Sequence, residues 1–169
     1  MKPKTLAAPV AFALLVTLLS WRAMDSWQAR PAPQVTFQTV AGQSFATADL
    51  RGKVVLVNFW SVSCAPCLAE MPDIAATYQK FEQRGLRTVA VAMRYDAPSH
   101  VAGYAARERL AFDVSFDPVG QLAESFGGVA ATPTSFVIDR RGSIVARYVG
   151  PLSVAKLNAL LERLLDEPA

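Results

Sequence analysis

The 169-residue chain predicts an α/β fold built around one parallel β-α-β unit. Three observations carry that prediction. An apolar run, Val54–Trp60, broken only by Asn58, suits a central strand buried on both faces. After it, Leu68, Met71, Ala75, Tyr78 and Phe81 recur at helical spacing and form one apolar stripe. Gly85 then ends the helix, and Thr88–Met93 reads as a second buried strand. A strand, helix and strand in this order form a right-handed crossover.

The join between first strand and helix holds the only two cysteines, Cys64 and Cys67. Residues three apart in a first helical turn bring their sulfurs within bonding reach. At a helix N-terminus, unpaired N–H groups and the positive dipole end favour a thiolate. One C-x-x-C beside a β-α-β pattern therefore reads as a reversible dithiol, and two cysteines exclude a multi-disulfide framework. The alternative is a static structural pair.

The net charge of +3 is small, and its Lys and Arg residues are scattered. Nothing resembles a nucleic-acid surface, such as a basic stripe with interleaved aromatics. Gly-rich phosphate loops are absent as well.

From the N-terminus, residues 1–27 read as a signal-anchor segment. Lys2 and Lys4 precede an uncharged run from Leu6 to Trp21, closed by Arg22. As a helix that run spans about 24 Å, short of a hydrocarbon core of about 30 Å, though a flanking Arg can snorkel. Trp21 and Trp27 suit interface anchors, and residues 20–32 offer no good cleavage site. The expectation is a single-pass anchor in the inner membrane, with the domain facing an oxidising periplasm. Cleavage would instead release the domain there. Residues 28–34, with Pro31 and Pro33, read as an extended linker, and 35–169 as the domain.

Val35–Ala46 reads as a hairpin turning at Ala41-Gly42. Pro72 is expected to kink the helix that follows the cysteines. Pro98–Leu110 reads as a second helix, Phe112–Phe116 as a short strand and Gln121–Phe126 as a short helix. Thr134–Asp139 and Ile144–Val149 read as strands joined through Arg140-Arg141-Gly142. Ser153 is placed to cap a last helix carrying Val154, Leu157, Leu160, Leu161, Leu164 and Leu165.

This order, with C-x-x-C after the first core strand, resembles thioredoxin, and more narrowly the membrane-anchored TlpA/ResA-type thioredoxin-like proteins. The matching residues are Phe59-Trp60, Cys64-Ala65-Pro66-Cys67, Glu70-Met71-Pro72, Thr132-Pro133-Thr134 and the extra helix and strand at 98–116. The resemblance spans roughly residues 35 to 165. It implies a thioredoxin-like fold with an N-terminal β-hairpin and an inserted helix-strand. It implies an extracytoplasmic thiol–disulfide oxidoreductase, acting as a monomer that reduces disulfide-bearing proteins, cytochrome c maturation components among them. An inner-membrane thiol transporter would supply the electrons, and no bound cofactor or metal is needed.

Within that reading Cys64 is the nucleophile and Cys67 resolves the mixed disulfide. Glu70, one turn beyond Cys67, is either the proton acceptor for Cys67 or an acid that stabilises the helix N-terminus. The resemblance favours the first. It also implies a cis Thr132-Pro133 bond beside the dithiol, with the Thr132 backbone pairing to an incoming strand. Trp60, Ala65, Pro66, Thr132 and Pro133 form the expected partner-contacting set. Asn58 stands where thioredoxins carry a buried acid, and Ser63 stands where the family usually has tryptophan. His100, Met71 and Met93 read as a surface residue and core residues. Rival readings are a periplasmic disulfide oxidase or isomerase, and a Cu(I)-delivery module using the two thiolates.

Overall fold

The computed structural model describes residues 30–167 of the chain. Residues 1–27, expected to form the anchor, lie outside that span. Among the described residues no helix is long and apolar enough to cross a membrane. From Pro31 onward the chain forms one compact unit.

A central sheet has the strand order β1-β8-β7-β4-β5-β6. Its members are β1 (Arg30–Pro31), β4 (Val54–Trp60), β5 (Leu86–Ala92), β6 (Asp113–Phe116), β7 (Thr134–Ile138) and β8 (Ser143–Val149). A separate two-stranded sheet pairs β2 (Thr36–Gln38) with β3 (Ser44–Ala46), the expected hairpin. β4 runs parallel to β5, and β5 to β6, whereas β7 is antiparallel to both β4 and β8. Among the described residues four α-helices accompany them: α1 (Ala65–Phe81), α2 (Pro98–Arg107), α3 (Gln121–Ser125) and α4 (Val154–Asp166).

All seven residues of β4 are buried, and the six apolar ones alternate between two cores. Val54, Leu56 and Trp60 pack on one side with Met71, Ile74 and Phe81 of α1 and Leu157 and Leu161 of α4. Val55, Val57 and Phe59 pack on the other with Phe37, Phe126, Val129 and Phe136. A strand covered on both faces has no solvent side to show, which is why its sequence is apolar except for the hydrogen-bonded Asn58. The hairpin closes the β6 edge: Val40 N donates to Val114 O at 2.8 Å, and Ser115 Oγ to Gln38 O at 2.8 Å. That covers backbone groups an edge strand would leave open.

Several boundaries differ from the sequence reading. Helix α1 continues through Pro72, which is exposed, so its ring meets solvent rather than the sheet. Its buried face is centred on Cys67, Met71, Ile74 and Phe81, while Leu68, Ala75 and Tyr78 are only partly covered. A 3-10 turn, Glu82–Arg84, follows, and Gly85 at φ 102° supplies the left-handed exit. Ser153 occupies the N-cap of α4 but makes no side-chain capping bond. In the expected linker, Ala32 is buried and its N–H donates to Gly142 O at 2.9 Å, so the chain joins the domain before Val35. Arg140, in the β7–β8 turn, donates to Gly52 O and Leu165 O at 2.8 and 3.0 Å. It ties together the end of the sheet away from the cysteines.

Candidate active site

Strand β4 ends at Trp60, and a tight turn delivers Cys64 to the N-cap of α1. Cys64 and Cys67 form a disulfide with Cα atoms 5.2 Å apart. The Cys67 N–H donates to Cys64 Sγ at 3.3 Å, an otherwise orphaned helix-start donor aimed at the sulfur. Pro66 sits in the first turn, where its missing N–H leaves no gap. Cys64 is half-buried, Ala65 and Pro66 are exposed, and Cys67 is fully buried. An incoming group therefore reaches the Cys64 sulfur first.

The turn before Cys64 is braced by polar groups that the sequence reading did not connect. Asp96, just past β5, is buried, and its Oδ1 accepts from Ser61 Oγ at 2.8 Å. Its Oδ2 accepts from the Val62 N–H at 3.1 Å. Ser61 Oγ lies 2.8 Å from Ser63 Oγ and accepts from the Ser63 N–H. Ser63, the small residue before Cys64, is thus part of a hydroxyl chain ending on a buried carboxylate. No local motif marks Asp96, because its partners stand 35 residues earlier.

On the inner side of the site lies Glu70, only 6% exposed. Its Oε1 accepts from Asn58 Nδ2 at 2.9 Å and its Oε2 from the Leu152 N–H at 3.0 Å. Asn58 also donates to Ser135 Oγ at 2.9 Å, and its own Oδ1 is buried without a partner. Burial pushes the Glu70 carboxyl above its usual range, against the pull of the Leu152 and Asn58 donors, with Asp73 adding slightly to the rise.

The third wall is the loop entering β7. The Thr132-Pro133 bond is cis, Pro133 is buried, and the Thr132 carbonyl oxygen lies 3.5 Å from Cys64 Sγ. Gly150 N donates to Pro133 O at 2.8 Å, locking the loop onto the end of β8. Of the expected partner-contacting residues, Ala65, Pro66 and Thr132 have exposed or part-exposed positions around the sulfur. Trp60 does not. It is fully buried with its ring centroid 5.1 Å from that of Tyr104, so it supports the site from within the core. His100 is exposed in the first turn of α2, and Met71 and Met93 are buried.

A disulfide at a helix N-terminus, a half-buried leading cysteine ahead of a fully buried one, a buried acid and a cis-proline loop together define a thioredoxin-like thiol–disulfide oxidoreductase. The chain belongs to the Redoxin family, whose model matches residues 28–161, and within it to the TlpA/ResA type. It is 30% identical over 135 residues to the thiol-disulfide oxidoreductase ResA of Bacillus thuringiensis (strain Al Hakam), covering 80% of this chain and 77% of that protein. The thiol:disulfide interchange protein HelX of Rhodobacter capsulatus is 32% identical over 139 residues, covering 80% and 76%. Among solved structures, a thiol:disulfide interchange protein of the thioredoxin family from Chlorobium tepidum TLS superposes with a TM-score of 0.74 at 31% identity. That match covers 81% of this chain and 97% of the other.

Proposed function

We propose that the protein is an extracytoplasmic reductase of protein disulfides, tethered to the inner membrane through residues 1–27. The observation that carries this reading is the asymmetry of the dithiol. Cys64 is the accessible sulfur at the helix start, whereas Cys67 is buried one turn before a buried acid.

In the reduced protein the Cys64 thiolate attacks one sulfur of a partner disulfide, and the partner's other sulfur leaves as a thiolate. The partner is then held through its sulfur to Cys64. Glu70 takes the Cys67 proton, and the Cys67 thiolate attacks Cys64 Sγ. The Cys64–partner bond breaks, and the partner's second thiolate leaves and collects a proton. Two electrons have passed to the partner, and the Cys64–Cys67 disulfide remains. Thr132 takes part as a docking group: among the described residues its backbone N–H and carbonyl have no backbone partner, so an extended segment can pair there.

The apolar stretch Leu6–Trp21 supports the anchor, and the names of the relatives support a thiol–disulfide interchange role. A reductase in an oxidising compartment needs an electron supply, which an inner-membrane thiol transporter would provide. Disulfide-bearing cytochrome c maturation components suit it as substrates.

The test is the reduction potential of the Cys64–Cys67 pair, equilibrated against thiol buffers. A value near about −270 mV supports a reductase, and one near about −120 mV points to an oxidant of secreted proteins and reverses the assigned direction. Cys64→Ser abolishes disulfide reduction, while Cys67→Ser accumulates mixed disulfides whose mass identifies the partner. A Cys64→Ser protein with full activity refutes the nucleophile assignment.

A further inference from the structure

Asp96 takes no part in the redox steps of Cys64, Cys67 and Glu70, yet it is a buried carboxylate, 7% exposed. Among the described residues it forms no ion pair with a Lys, Arg or His side chain. Arg94 is exposed and lies beside Gly120 instead. The charge is held by hydrogen bonds: Oδ1 accepts from Ser61 Oγ at 2.8 Å, and Oδ2 from the Val62 N–H at 3.1 Å. Both donors belong to the turn Ser61-Val62-Ser63-Cys64, which the Cys64 N–H closes on Ser61 O at 3.2 Å. A negative charge is thus seated on the turn that carries the leading sulfur.

Proton counting fixes the direction of the hydroxyl chain. A carboxylate only accepts, so the single hydroxyl proton of Ser61 points at Asp96. The 2.8 Å contact between Ser61 Oγ and Ser63 Oγ must then use the Ser63 proton, and the Ser63 N–H donates to the same oxygen at 3.1 Å. Ser63 therefore turns its hydroxyl proton inward and offers the neighbouring sulfur no O–H donor. Two influences meet at Cys64. The Cys67 N–H, 3.3 Å from the sulfur, and the positive end of α1 favour its thiolate. The Asp96 charge opposes it, because like charges disfavour ionisation. Glu70 faces the turn from α1, Tyr95 from the chain beside Asp96, and His100, Tyr104 and Arg107 from α2 line a cleft with Val62. Arg107 is paired with Glu108.

We propose that Asp96 is a positioning residue that sets the reducing poise of the dithiol. Its charge, and the Ser61 and Ser63 hydroxyls it turns inward, keep the Cys64 thiolate poorly stabilised. This deepens the reductase reading and rests on it. Reduction places two electrons and two protons on the Cys64–Cys67 bond and leaves two thiols, of which Cys64 is the accessible one. Whatever stabilises the Cys64 thiolate favours that reduced form and makes the pair an oxidant. Withholding the stabilisation drives the two electrons outward, onto a partner disulfide.

The test compares the full-length wild-type protein with Asp96→Asn and Asp96→Glu. Each is equilibrated with graded mixtures of reduced and oxidised dithiothreitol, alkylated and read by mass. Asp96→Asn removes the charge at nearly constant shape. Its equilibrium constant is expected to shift at least about tenfold towards the dithiol, a potential about 30 mV less negative. Iodoacetamide reaches Cys64 before the buried Cys67, and the pH at which its rate is half-maximal is expected to fall in Asp96→Asn. Asp96→Ala also lacks the charge and shifts in the same direction. Asp96→Glu keeps the charge and retains the wild-type potential, although its longer side chain disturbs the turn. A merely structural role would ease urea unfolding in all three variants and leave every potential at the wild-type value. An unshifted Asp96→Asn, a shift towards the disulfide, or an Asp96→Glu shifted as far as Asp96→Asn overturns the inference. An oxidising wild-type potential overturns the reductase reading, whereas the difference between wild type and Asp96→Asn decides the role of Asp96 separately.

Discussion

Replacing Glu70 by Gln tests whether the buried acid moves a proton or only fills space. The two side chains have nearly the same shape, so packing against α4 and the sheet is retained. The hydrogen bonds are not. Both Glu70 oxygens accept N–H donors, from Asn58 at 2.9 Å and Leu152 at 3.0 Å. An amide has one acceptor, so its NH2 group must face one of those donors. An unsatisfied group of that kind costs about 1–3 kcal/mol, which a domain of this size tolerates. The kinetic effect is larger and confined to one step. In the proposed mechanism, attack by Cys64 on a partner disulfide does not use Glu70, whereas attack by buried Cys67 does. Loss of a positioned proton acceptor is worth about 10²-fold at the low end. Glu70→Gln therefore accumulates the Cys64–partner mixed disulfide and releases the reduced partner about a hundredfold more slowly. Quenched-flow mass spectrometry separates the two steps. The pH dependence carries the sign. Glu70 accepts a proton only when ionised, so wild-type resolution accelerates as pH climbs through a carboxyl value raised above 4.5. In the Gln variant that rise is missing. Resolution at the wild-type rate, with the wild-type pH dependence, would refute the assignment.

Three further outcomes follow from the packing. Because Glu70 holds its proton more tightly in the native protein than in the unfolded chain, its contribution favours folding at low pH. It is lost as pH rises from 4.5 through the raised native value, so denaturation midpoints measured across that range fall less steeply in Glu70→Gln. Asp96→Ala strips the partner from Ser61 Oγ and the Val62 N–H, both hydrogen-bonded to a charged group. Urea unfolding should show a loss of about 2–3 kcal/mol with an unchanged m-value. Leu161→Ala opens a cavity between α4 and the sheet at a fully buried position, and the same assay should show a loss of about 2–5 kcal/mol.

Much of the fold was legible because its signals are local. The apolar run of β4, broken only by Asn58, suited a strand with both faces covered, and helical spacing after the cysteines located α1. Gly85 and Gly142 marked turns that need left-handed backbone, at φ 102° and 83°. Tertiary context overrode local signals in a few places. Helix α1 stops at Phe81 and passes through a 3-10 turn, Glu82–Arg84, before the Gly85 that was expected to end it. Ser153 stands at a helix start without using its hydroxyl to cap it. Trp60 reads as a rim residue by its place beside the cysteines, yet strand alternation turns it into the core with Leu56.

The sequence by itself determined the dithiol, because two cysteines three residues apart at a helix start need no distant partner to meet. It also marked Glu70 and Thr132-Pro133 as candidates through the resemblance. What surrounds the sulfurs was decided only by the tertiary structure. Glu70 meets Asn58 across 12 residues and Leu152 across 82, Ser61 meets Asp96 across 35, and Tyr95 meets Thr132 across 37. Those pairs exist because β4, β5 and β7 lie side by side in a fixed register and bring their ends together at one edge. The physical reason is that hydrogen bonds and burial act over a few ångströms of space, whereas sequence patterns report only separations along the chain.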